Sequence, residues 1–313
     1  MTMDIAFDIG LAGLLISVAA WTIFVRQTFS AIVIFMVYGL LLSLAWVRLA
    51  AIDVALTEAA IGTGVTGMLL LNAAAGLRGA EAGTTPAALS LRIAVAVLCL
   101  LVAAGLASLV LFPSGDAVTL APAAMERLAE SGLENPVAGV LFVYRSLDTL
   151  LEKVVLLLAL IGVWSLATDR FWGGIPGLQV PAQPDGIMIF LAQTLPPVGI
   201  VAALYMCWVG ATEPGGAFQG GAILAAMWLL VLVAGLQRVP SIASQGVRLA
   251  LATGPVIFLA IGVAGIFWAG SFLAYPAGYA KSLIVVIEVT LTLSIGATLA
   301  LLAAGPPDRM RSS

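Results

Sequence analysis

Hydrophobic positions in this chain come in long blocks, separated by short polar stretches. Apolar runs of about 17 to 25 residues are long enough to cross a bilayer as helices. About nine such runs occur: Ile9–Val25, Ala31–Val47, Val54–Leu77, Leu89–Phe112, Val154–Ala167, Ile187–Val209, Gly221–Leu236, Val247–Ala269 and Leu283–Ala304. The fifth is short by hydropathy and reaches full length only if it begins near Leu150. Trp21, Trp46, Trp164, Trp208 and Trp268 lie near run ends, as interfacial aromatics do. The pattern predicts an all-α, polytopic integral membrane protein of about nine transmembrane helices.

Composition sharpens this. The chain is 62% hydrophobic and 9% charged, against about half and about a quarter in a soluble domain. The net charge of −3 leaves no basic footprint for nucleic acid. Cys99 and Cys207 are far apart in apolar runs and define no disulfide framework. Histidine is absent, which removes the commonest metal ligand and proton shuttle. No metal site, resident cofactor or enzymatic constellation is expected, and proton chemistry falls to carboxylates, lysine, tyrosine or water.

The first run carries Asp4 and Asp8 ahead of it and no basic residue, unlike a cleavable signal peptide, so it reads as a retained span. Arg26, Arg78, Arg92, Arg170, Arg238, Arg248, Arg309 and Arg311 fall on one side of the predicted topology. Arg48 and Lys281 fall on the other, with the long connection around 113–153. The positive-inside rule then puts the amino terminus outside and the carboxyl terminus in the cytoplasm. That long connection holds a short amphipathic piece, Ala123 to Glu130. "TDRFWGGIPGLQVPAQPDG" reads as a linker. The chain divides into 1–112 with four spans, 113–170 with the loop and one span, a linker at 171–185, and 186–313 with four spans.

Ionisable residues inside these runs are expensive and therefore informative. Glu58 lies in "DVALTEAAIGTGVTGMLLLNA". The "GTGVTG" there has a dinucleotide-loop spacing but no strand before it, and at membrane depth its glycines read as close-packing positions, loosening the helix beside Glu58. Asp53 and Glu58 point about 140° apart on a helix and do not pair. Arg145, Asp148 and Glu152 share one stripe of a helix expected to run from the Asn135–Pro136 cap to about Ala167. Lys153 follows, and Glu152 is the better candidate for the path. Glu288 shares a face with Lys281, two turns or about 10.5 Å away, which suits a water-bridged relay. Pro196 and Pro197 predict a break in the sixth span. Gly215, Gly216, Gly220 and Gly221 predict a glycine-rich re-entry after it.

These same stretches carry a resemblance. "IDVALTEAAIGTGVTGMLLLNA" resembles the MbhD-type segment of multisubunit cation/proton antiporters. "NPVAGVLFVYRSLDTLLEKVVLLLALIGV" resembles the MbhE-type segment that follows it in the large Mrp subunit. "PGGAFQGGAI" and "VIEVTLTLSIG" resemble the small B subunit, MnhB. The resemblance departs at Val143, Ala211 and Ala217. It implies a fused membrane subunit whose polar residues Glu58, Arg145, Asp148, Glu152 and Glu288 belong to the ion or proton path; Asp53, Lys153 and Lys281, read from their positions along the chain, are expected on that path with them. It implies Na+ and/or H+ as the transported species, sister subunits of an Mrp-type or complex I-related assembly as partners, and a bacterial cell membrane. A redox-driven pump subunit and a structural spacer remain open alternatives.

Overall fold

The computed structural model describes residues 2–77, 88–112, 119–178 and 186–309. Arg78 and Arg311, the loop at 113–118 and the linker at 179–185 lie outside them. Helices dominate, in the order α1 (Thr2–Phe24), α2 (Thr28–Arg48), α3 (Ile52–Thr57), a π-helical stretch (Glu58–Val65), α4 (Thr66–Leu77) and α5 (Leu89–Leu111). Next come α6 (Ala121–Leu128), α7 (Pro136–Gly139), a π turn (Val140–Tyr144) and α8 (Ser146–Trp164). The last four are α9 (Gly186–Val209), α10 (Ala217–Val233), α11 (Gln245–Ala269) and α12 (Ala280–Ala304). Among the described residues seven helices are long and apolar enough to cross a membrane, α3–α4 counting as one. The 17-residue α10 and the charged-ended α8 bring the total near the nine expected.

Two short strands, β1 (Ile175–Pro176) and β2 (Pro307–Arg309), pair antiparallel, so the start of the linker is tied to the chain just past α12.

The core is built around α12, which is buried from Leu291 through Leu301 on nearly every side by α9, α10, α11 and α8. Close approach rests on small residues, since lipid offers no hydrophobic reason for helices to associate. A Cβ on Gly221 would lie 2.7 Å from the Ile295 side chain, and one on Gly220 would lie 2.8 Å from the Ala203 carbonyl. Gly220 and Gly221 are therefore contact points inside α10. The glycine-rich break ends at Gly216, whose φ of +118° suits only glycine.

The proline break predicted in the sixth span is absent. α9 runs unbroken through Pro196 and Pro197. The ring fixes φ near the helical value, and each proline removes one backbone donor from α9. Pro255 in α11 shows how such a loss is repaired. It frees the Leu251 carbonyl, which accepts instead from Ser294 Oγ of α12 at 2.7 Å.

α3, the π stretch and α4 attach the first part of the chain to this core. The Asn72 amide donates to the Ala303 carbonyl at 2.8 Å. α1 and α2 stand outboard, joined where Arg48 Nε donates to Asp8 at 2.8 Å. Every described residue of α5 is exposed. Such bare apolar helices can only be covered by lipid or by other proteins. Trp21, Trp208 and Trp268 are exposed as expected of interfacial aromatics, whereas Trp164 is buried against α11 and α12.

Candidate functional site

The polar residues of the first segment part company within α3 and the π stretch. Asp53, in the first turn of α3, faces the core: its Oδ1 accepts from the Gly215 backbone N–H at 2.9 Å and its Oδ2 from Asn135 Nδ2 at 3.5 Å. Thr57, one helical turn on, accepts from Gln219 Nε2 at 3.1 Å. Glu58 begins the π stretch and turns the other way. Its carboxyl lies against Gly62 and towards Gly39 of α2. A π turn adds a residue to the helical repeat and resets which side chains share a face. The separation of Asp53 from Glu58 is set within α3, before that stretch begins.

Asn135 joins the three parts of the chain. Its Oδ1 caps α7 by accepting from the Val137 N–H at 2.9 Å. Its amide nitrogen donates to the carbonyls of Gly210, at 3.1 Å, and Glu213, at 3.0 Å, besides Asp53. The Ala211 carbonyl accepts from the backbone of both Glu134 and Asn135. The turn between α9 and α10, α7 and α3 are thus tied together by one buried side chain.

Past α7 the expected single helix does not form. The backbone leaves helical geometry at Arg145, with φ −131°, and α8 starts afresh at Ser146. The Ser146 hydroxyl donates back to the Phe142 carbonyl, and the Thr149 hydroxyl to that of Leu141 at 2.6 Å. Arg145 therefore stands at the N-cap position of α8, and its side chain makes no capping bond there. It still reaches Asp148 at 2.5 Å, in a pair that is 70% and 55% exposed. The Arg145, Asp148 and Glu152 stripe faces outward, and the neighbouring face of α8 packs inward. Lys153 is buried, with 3% exposure, while the side chain of Glu152 is half exposed. Lys153 Nζ sits 3.3 Å from the centre of the Phe218 ring and 3.7 Å from Glu152 Oε1.

Glu288 is equally buried, on α12, and its Oε2 has no hydrogen-bond partner among the described residues. Its other oxygen rests on backbone. A Cβ on Gly210 would lie 2.9 Å from Oε1, and one on Gly216 3.1 Å. Lys281 does not share this environment: it is exposed and lies near Gly132, so the expected Lys281–Glu288 face divides between surface and core.

Asp53, Thr57, Asn135, Glu152, Lys153, Gln219 and Glu288 all line one cavity of about 280 Å³. Glu58, Asp148, Arg145 and Lys281 are not on its wall. A second cavity, of about 550 Å³, lies among α9–α12 and is lined almost wholly by apolar side chains, Pro196 among them. Sequence reasoning weighed charges, gave Asn135 only the cap it also forms, and passed over Gln219 and Phe218. The signal for Gln219 was an amide inside the glycine-rich "GGAFQGGA".

Residues 13–79 match the MbhD family, the D subunit of MBH. Residues 187–305 match a domain related to the MnhB subunit of Na+/H+ antiporter. The fold resembles a chain of the Mrp complex from Dietzia sp. DQ12-45-1b, with a TM-score of 0.74 and 24% identity, over 97% of this chain and 35% of that one. It also resembles a chain of the membrane-bound sulfane sulfur reductase, an archaeal respiratory membrane complex. There the TM-score is 0.54 and the identity 23%, over 68% of this chain and 96% of that one. An uncharacterised protein of Methanocaldococcus jannaschii is 29% identical over 158 residues, 45% of this chain and 60% of its own length. The chain thus spans about a third of the Mrp chain and under two thirds of the archaeal relative. One polypeptide thus carries an MbhD-like segment followed by an MnhB-like domain.

Proposed function

We propose that this chain is a membrane subunit of an Mrp-type cation/proton antiporter, and that the cavity holding Asp53, Lys153 and Glu288 is a station on its ion or proton path. One observation carries the reading. The MbhD-like segment, the α7–α8 segment and the MnhB-like domain each contribute a buried or half-buried ionisable group to the same small cavity. Groups so costly to bury are kept where they have work to do. The domain organisation proposed is 1–112, 113–170, the linker at 171–185 and 186–313. Glu58 belongs to the path on the α2 side of α3, Glu152 stands at the cavity's exposed edge, and Arg145, Asp148 and Lys281 lie at its approaches. The role is transport rather than enzymatic catalysis, with Na+ and/or H+ as the species moved and sister subunits covering α1, α2 and α5.

The chain is placed in a bacterial cell membrane, with its amino terminus outside and its carboxyl terminus in the cytoplasm. The distribution of basic residues and an odd number of spans support this orientation. A second reading, a subunit of a redox-driven membrane complex, is favoured by the likeness to the sulfane sulfur reductase.

The test is exchange by the complete complex in everted membrane vesicles. Glu288→Gln and Asp53→Asn are expected to leave the subunits assembled and to lower cation-induced proton release. Wild-type exchange in both assembled variants rejects the reading.

A further inference from the structure

Lys153 and Glu288 are the two most deeply buried ionisable groups on the cavity wall, with 3% and 2% exposure, and they carry opposite formal charges. They come from different elements, α8 and α12. Neither is fully served by its immediate neighbours. Glu152 lies 3.7 Å from Lys153 Nζ, but its own side chain is half in the open, where water weakens the attraction. The Phe218 ring holds the ammonium by its face without taking a proton from it. At Glu288, the nearby Thr292 hydroxyl donates to the Glu288 backbone carbonyl instead of to the carboxyl group. Glu288 Oε2 is left without a protein donor among the described residues. Gly210 and Gly216 leave no room for a side chain beside Oε1, so the carboxyl group is held at the cavity.

Two opposite charges on the wall of one buried cavity are tolerated together far better than either alone. A neutral amine facing a neutral carboxylic acid is tolerated as well, and the two arrangements differ only by the position of one proton. We propose that Lys153 and Glu288 exchange a proton across this cavity through intervening water, and that Lys153, rather than the neighbouring Glu152, is the inward proton-carrying group of α8. This rests on reading the cavity as part of the path. In the step an N–H bond of the Lys153 ammonium breaks, its electron pair stays on Nζ, and an O–H bond forms on the Glu288 carboxylate. Both sides of the exchange are neutral overall, so no net charge is created inside the membrane domain. The other titratable groups facing the pair are Asp53 from α3, Glu152 on α8 itself and Cys207 from α9. α10 presents Phe218 and Gln219, which do not titrate.

The test is infrared difference spectroscopy on the intact complex across a pH series, with Glu288→Gln used to assign the carboxylic-acid band. In Lys153→Gln the midpoint of that band is expected to move up by about one pH unit, because a carboxylate that loses a nearby positive charge holds its proton longer. An unmoved midpoint overturns the proposal. Lys153→Arg keeps the charge but cannot release a proton at accessible pH. It should therefore assemble, leave the midpoint unraised and lose exchange by more than about tenfold. Retained exchange in Lys153→Arg overturns proton transfer through Lys153 even where Lys153→Gln fails to assemble. If Glu288→Gln lowers exchange and Lys153→Arg does not, only this inference falls. If Glu288→Gln exchanges normally, the reading of the cavity falls with it.

Discussion

Asn135 donates its side-chain amide to the Gly210 carbonyl at 3.1 Å across 75 residues of sequence, and in doing so holds the α7–α8 segment against the turn between α9 and α10. The same amide group reaches Glu213 and Asp53. Asn135→Ala leaves two carbonyls and one carboxylate oxygen without this donor. Orphaned buried polar groups cost about 1–3 kcal/mol each. The expected result is a clear fall in the thermal stability of the complex and in the amount of this chain recovered with it. An unchanged melting temperature would show that the junction is held by other contacts.

Gly221→Val tests the small-residue contact between α10 and α12. The new side chain must occupy space 2.7 Å from Ile295, in a part of the chain where nothing is loose. Overpacking of this sort destabilises by about 1–3 kcal/mol. Cross-linking between cysteines placed on the two helices is expected to weaken as they separate. Equal cross-linking yields would mean that the helices can slide without loss.

Arg145 and Asp148 make a short, well-aligned pair, yet both are largely exposed. Exposed pairs contribute about 0–1 kcal/mol. Arg145→Ala is therefore expected to shift thermal stability only slightly. A loss of several degrees would indicate that a sister subunit buries the pair in the assembled complex.

Glu58 and Glu288 open on different sides of α3 and the π stretch, Glu58 towards Gly39 of α2. Glu58→Gln is expected to lower exchange while leaving the infrared midpoint of Glu288 where it was. A moved midpoint would join the two acids into one compartment and contradict their separation.

Much of this was open to reading along the chain. The membrane class and the approximate number of spans follow from runs of apolar residues, because a bilayer imposes its thickness on any helix that crosses it. The cost of burying a charge picked out Glu58, Glu152 and Glu288. The incompatible directions of Asp53 and Glu58 followed from helical geometry alone.

What tertiary structure decided was direction and company. α9 keeps Pro196 and Pro197 within it, and helix–helix packing lets Ser294 meet the carbonyl freed by Pro255. The packing of α8 put Lys153 inward and left the Arg145, Asp148 and Glu152 stripe outward, a choice of face that spacing along a helix could not reveal. The meeting of Asp53, Lys153 and Glu288 depends on Asn135 gathering distant segments. Periodicity reports which residues share a face of one helix. Which faces meet depends on small-residue contacts and on single buried amides, and these act between elements far apart in the chain.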